Sequence, residues 1–137
     1  IESCKEVGMH VDESTIKWWD KQDKETRDEA LNNTDRVSIK QALTEFTEWF
    51  KNSTYLWGHG DDFDCTILTE AYARCNIDTP WKFWNTRDTR TVFDIFDIDM
   101  RDMPSNKKHH ALYDCYRQII GVTKALVPNQ NKHKKIT

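Results

Sequence analysis

The sequence predicts an α/β fold in which helices dominate, and three stretches predict it. Tyr55 to Leu68 changes period in its middle. Tyr55 to His59 is short, aromatic and bounded by Gly58 and Gly60, which suits a strand. From Phe63 the apolar positions Phe63, Ile67, Leu68, Ala71, Tyr72 and Cys75 fall at helical spacing, so the chain leaves a strand, turns on glycine and enters a helix. Ser38 followed by Gln41 reads as a capping box, after which Ile39, Ala42, Leu43, Phe46, Trp49 and Phe50 form an apolar stripe. The third stretch is a helix from about His110 to Val127, with Leu112, Cys115, Ile119, Val122 and Leu126 expected to face inward.

A chain of 137 residues, 37% hydrophobic with 6 Trp and 6 Phe, is sized for one domain, 1–137, with a core of its own. A net charge of -3 argues against coating nucleic acid through a broad basic surface, so any such contact must be local. Cys4, Cys65, Cys75 and Cys115 are widely spaced without a Cys-x-x-Cys pair, and the last three fall on expected apolar helix faces. Reduced core thiols and a cytoplasmic location follow as expectations. No signal peptide is visible, and no apolar run approaches the ~18 residues of a membrane span, so a soluble protein with no membrane partner is expected.

The remaining segments read as follows. Ile1 to Met9 is assigned to a strand end or a loop. Asp12 is placed to cap a helix through Ile16, Trp18 and Trp19, with one tryptophan expected in the core and its neighbour partly exposed. A second charged helix runs from Asp23 to about Leu31, and Asn32 to Asp35 is a turn. After the loop Asn76 to Pro80 comes Trp81-Lys82-Phe83-Trp84-Asn85-Thr86-Arg87-Asp88-Thr89-Arg90-Thr91, with Asp88 placed to cap a short helix through Val92 and Phe96. A turn from Asp97 to Asn106 leads to the basic Lys107-Lys108-His109-His110, and residues 128–137 form a basic, solvated tail.

Three constellations could carry chemistry. Asp61, Asp62 and Asp64 meet the positive end of a helix dipole, either merely as caps or with one of them holding a cation at a strand end. In the Trp81 block, aromatics interleaved with Lys82, Arg87 and Arg90 suit base stacking and phosphate contact, which makes Trp84, Arg87 and Arg90 candidates for substrate binding. Trp81 and Phe83 are equally compatible with anchoring a loop on the core. His109 precedes Asp114 at the entry to the last helix, a pair that in isolation is a surface histidine and an ordinary helix aspartate.

Taken in order, Trp57-Gly58, Phe63 to Leu68, Trp81 to Thr91 and His109 to Asp114 resemble the blocks of the DEDDh-type 3′-to-5′ exonucleases, nearest to their phage-type, ribonuclease T-like branch. The resemblance implies a ribonuclease H-like α/β fold and two divalent cations, Mg²⁺ or Mn²⁺. It also implies hydrolysis of the terminal phosphodiester at single-stranded DNA or RNA 3′ ends. Asp64 and Asp114 would be metal carboxylates and His109 the general base, with His110 its rival. Trp84, Arg87, Arg90 and Lys108 would meet the substrate.

The family's first strand bears Asp-x-Glu, and this sequence starts downstream of it. Its Asp23-Lys24-Glu25 sits in a charged helical stretch. An N-terminally truncated version of the fold is therefore expected, with an incomplete site that binds at most one divalent ion weakly. Its sheet would be completed by an upstream segment or by self-association. The competing reading is a non-catalytic nucleic-acid-binding or assembly module of the same fold. A zinc module built from His109, His110 and the cysteines is disfavoured by their scattered spacing.

Overall fold

A computed structural model of the chain describes residues 1–104 and 109–127. Its elements in order are α1 (Glu2–Glu6), α2 (Glu13–Trp19), α3 (Lys24–Asn32), α4 (Ile39–Phe50), β1 (Leu56–Gly58), α5 (Asp61–Arg74), β2 (Thr86–Asp88), α6 (Thr89–Ile95) and α7 (Ala111–Leu126). Single 3₁₀ turns at Phe83–Asn85 and Met100–Asp102 join them. Helix-rich, with one parallel strand pair among the described residues, it has the α/β character that the strand-to-helix switch at Gly60 predicts. It divides into two compact units, Ile1–Asp88 and Thr89–Thr137.

In the first unit the local signals act as their chemistry dictates. Asp12 accepts the Thr15 N–H, Asp23 that of Thr26 and Ser38 that of Gln41, each satisfying an orphan donor at a helix start. The Gln41 side chain donates to Glu45 rather than turning back to Ser38, so the capping box is half made. Asp23 thus caps α3 with Glu25 in its first turn, and this Asp-x-Glu is helical as its charged surroundings predict. Ile1 to Met9 departs from expectation. It forms α1, tied down by Arg74 Nη1 donating to Gly8 O at 2.6 Å and by Ser3 Oγ accepting the Ile39 N–H at 3.1 Å.

The core of this unit gathers Leu43 and Phe50 of α4, Ala71 and Tyr72 of α5, Cys75 and Trp81. Trp81 sits edge-on to the rings of Phe46, Phe50 and Tyr72, with centroids 5.3 to 6.3 Å away, so the anchoring reading holds for Trp81. The Tyr72 hydroxyl, fully buried, donates to Leu43 O and meets Thr47 Oγ1, joining α5 to α4. Only part of the α4 stripe is buried: Ala42 and Trp49 lie exposed, because α5 and Trp81 cover one side of the helix. Trp19 is half-buried beside an exposed Trp18, so neither ring enters the core as expected of one of them.

β1 and β2 run parallel in the register Leu56↔Thr86, Trp57↔Arg87 and Gly58↔Asp88. β2 escapes a sequence reading because Thr86-Arg87-Asp88 has no apolar alternation.

In the second unit α6 packs on α7 through Phe93 and Gly121, where a Cβ would come within 2.5 Å of the Phe93 ring. Arg117 Nη2 donates to Met100 O at 2.6 Å on the same side. These contacts turn α7 away from the expected orientation: Leu112, Cys115, Ile119 and Leu126 are exposed and Val122 half-buried. Cys65 and Cys75 are buried thiols as expected, and Cys115 is not. Among the described residues no helix is long and apolar enough to cross a membrane.

Candidate active site

Both strands end together, at Gly58 and Asp88, and the chain leaves β1 through His59 and Gly60 into α5. Gly60 is the residue before the first helical turn, with φ 99 and ψ 79, a positive φ that glycine adopts without a Cβ penalty. Gly60 offers no side-chain cap to the helix, and the two N–H groups of the turn each meet a carboxylate. The His59 N–H donates to Asp64 Oδ2 at 3.0 Å and the Gly60 N–H to Asp88 Oδ1 at 2.9 Å. Asp61, Asp62 and Asp64 occupy the first turn of α5, where the helix dipole favours negative charge. None of them is the capping residue, because the glycine takes that place.

Cys65 lies buried behind this turn. Burial first, then the negative charges of Asp61, Asp64 and Asp88, push its thiol up to about 11. Carboxylates from the helix and from β2 therefore crowd one end of the parallel pair, the end at which open α/β sheets gather ligands. An open groove of about 380 Å³ runs beside α5, lined among others by Asp61, Asp62, Cys65, Thr66, Phe83 and Thr86. No lysine or arginine lines it among the described residues.

The aromatic block divides by burial. Phe83 is 82% and Trp84 61% exposed, their rings edge-to-face with centroids 4.8 Å apart. For Phe83 the core-anchor reading fails, since the 3₁₀ turn that follows Trp81 lifts it outward. Arg87, expected to contact substrate, also engages the fold: Nη1 donates to Trp84 O at 2.8 Å and Thr86 O at 2.7 Å, and the guanidinium lies over Tyr55. Arg90 is an exposed residue of α6 in the second unit. Lys108 and the 128–137 tail lie outside the described residues.

Within the second unit, His109 is exposed with φ 61 immediately before α7. His110 is the capping residue of α7 and half-buried, its ring edge-on to Tyr113 at 4.9 Å. Asp114 stands in the first turn of α7, as its spacing predicts, and its carboxylate accepts from Arg117 Nη1 at 3.4 Å. Asp64 belongs to the first unit, and His109 and Asp114 to the second. Carboxylate oxygens suit a hard divalent cation in type, but among the described residues no three His, Cys, Asp or Glu side chains converge as a set that could hold one. Asp88 is the site neighbour that sequence reasoning missed. Its only outward sign is an acidic residue closing a strand that the pattern does not reveal.

Carboxylates thus crowd the helix-entry end of a parallel strand pair in an α/β domain. Residues 1–126 match the family described as the 3′-5′ exoribonuclease Rv2179c-like domain, and the chain belongs to that exonuclease-type family. It is also 27% identical over 141 residues, covering 82% of this chain, to an exodeoxyribonuclease of Enterobacteria phage T4. The chain spans 62% of the length of that phage protein. No solved structure matches it significantly.

Proposed function

We propose that this chain is part of a divalent-metal-dependent 3′-5′ exonuclease of ribonuclease H-like fold that removes nucleotides from single-stranded DNA or RNA ends. The observation that carries the reading is the family match over residues 1–126, which takes in Asp64, His109 and Asp114. The placement of Asp64 at the carboxyl end of the β1–β2 pair supports it.

In this reading Asp64 and Asp114 are the carboxylates of this chain that face Mg²⁺ or Mn²⁺. The cations would supply charge neutralisation at the scissile phosphate. His109 accepts the proton of the attacking water. His109 is exposed in the segment before α7, and the His110 ring packs on Tyr113. Arg117 stands in ion-pair contact with the Asp114 carboxylate at 3.4 Å. The exposed Phe83 and Trp84 rings stack the terminal bases.

The test is Mn²⁺-dependent release of mononucleotides from 3′-end-labelled single strands of DNA and of RNA. Release that is lost in Asp64→Asn and in Asp114→Asn supports the exonuclease. Tight strand binding without release, unchanged by both substitutions, favours a non-catalytic binding module and overturns the proposal. Equal release by Asp64→Asn and wild type also overturns it.

A further inference from the structure

The two residues between β1 and α5 decide where Asp64 stands, and their conformation is held from two directions. Asp64 Oδ2 accepts the His59 N–H from within the same strand-to-helix connection, a local bond. Asp88 Oδ1 accepts the next N–H, that of Gly60, from the end of the neighbouring strand. The second bond is the one that ties the turn to the sheet. Gly60 is buried, at positive φ, and offers no side chain to brace itself. Bonds from an N–H to an ionised carboxylate are stronger than neutral ones, so this bond suits the bracing of a residue as pliant as glycine. The register Gly58↔Asp88 puts the carboxylate one step from the turn it braces.

We propose that Asp88 is a positioning residue: by holding the Gly60 N–H it fixes the His59–Gly60 turn and with it the first turn of α5, and so sets Asp64 at the site. The inference rests on the reading of Asp64 as a metal carboxylate, but the brace itself can be tested without metal. Asn can accept the same hydrogen bond without the charge, whereas Ala cannot. The two substitutions therefore separate position from electrostatics.

The experiment uses the full chain, with amide hydrogen exchange followed residue by residue in the wild type, Asp88→Ala and Asp88→Asn. Mn²⁺ is titrated into each while broadening of the Asp64 amide signal is followed, and thermal midpoints are recorded alongside. Asp88→Ala should speed exchange at Gly60 by about tenfold or more beyond its global destabilisation. It should also weaken the Mn²⁺ response several-fold, and Asp88→Asn should restore both to near wild type. Unchanged Gly60 exchange in Asp88→Ala overturns the proposal. Loss of the Mn²⁺ response in Asp88→Asn with Gly60 still protected also overturns it, because the charge and not the position would then matter. A wild type that shows no Mn²⁺ broadening removes the metal reading of Asp64, while exchange at Gly60 still decides the brace. Should Asp88→Ala fail to fold, Asp88→Ser, whose hydroxyl is too short to reach Gly60, takes its place with the same two criteria.

Discussion

The guanidinium of Arg87 lies over the ring of Tyr55, 4.4 Å from its centroid, while its Nη1 donates to the carbonyls of Trp84 and Thr86. One side chain thus staples the residue before β1 to the loop that carries the exposed aromatics. Arg87→Ala should lower stability by about 1 to 2 kcal/mol, the sum of a cation–π contact and carbonyl hydrogen bonds to a charged donor. Arg87→Lys should recover only part of this, since an ammonium lacks the planar fork. Denaturant unfolding of the three proteins gives the answer, and a loss of strand affinity with stability untouched would assign Arg87 the substrate-contacting role its sequence neighbourhood suggests.

Tyr72 is a second structural keystone, remote from the carboxylates. Its hydroxyl donates to Leu43 O at 2.9 Å, and Leu43 O also accepts from Thr47. Tyr72→Phe leaves that carbonyl the Thr47 hydroxyl beside its helical hydrogen bond and leaves the ring packing on Trp81 in place. The expected cost is about 1 kcal/mol, with strand binding unaltered. A loss above roughly 3 kcal/mol would mean that these remaining partners do not satisfy the carbonyl.

The two thiols Cys65 and Cys115 differ in exposure and should differ in reactivity. Burial and three neighbouring carboxylates push Cys65 up to about 11, whereas Cys115 is exposed on α7. The neutral thiol is the form the fold favours at Cys65. As pH rises from about 9 toward about 11 the unfolded chain therefore releases this proton first, and stability falls across that window. At pH 8.5 the thiolate fraction of Cys65 should be roughly 100-fold below that of an ordinary thiol. Iodoacetamide with peptide mapping should label Cys115 within minutes and spare Cys65. Equal labelling of both under native conditions would contradict the buried, charge-crowded setting of Cys65.

What the sequence makes legible depends on whether the signal is local. The caps at Asp12, Asp23 and Ser38, the switch of period at Gly60 and the position of Asp114 in the first turn of the last helix are each written within a few residues. The register Gly58↔Asp88 is not, because a three-residue strand of polar residues leaves no periodicity to read. Nor is the rotation of α7. Counting apolar positions selects Leu112, Cys115, Ile119 and Leu126. The helix instead turns to its partner the face carrying Gly121, where the Phe93 ring enters, and Arg117, which reaches Met100 O. Burial follows close approach here rather than side-chain hydrophobicity.

Phe83 and Trp84 pose the sharpest test of substrate binding. Both rings are mostly exposed and meet edge-to-face, so each presents a free face to solvent, and a base stacked on such a face adds affinity without regard to sequence. Because neither ring belongs to the core around Trp81, truncation should leave the fold standing. Trp84→Ala should weaken binding of a single strand by roughly 1 to 3 kcal/mol, and Phe83→Ala by a similar amount, with thermal midpoints near wild type. Stacking a base on a ring neutralises no phosphate and releases no counterion, so salt should affect this component little. The residual affinity of Trp84→Ala should therefore keep the salt dependence of the wild type. Fluorescence anisotropy with labelled DNA and RNA strands at two salt concentrations measures all of these quantities. Unfolding of Trp84→Ala would show that the ring supports the loop, and unchanged affinity in a well-folded variant would remove base stacking from the binding surface.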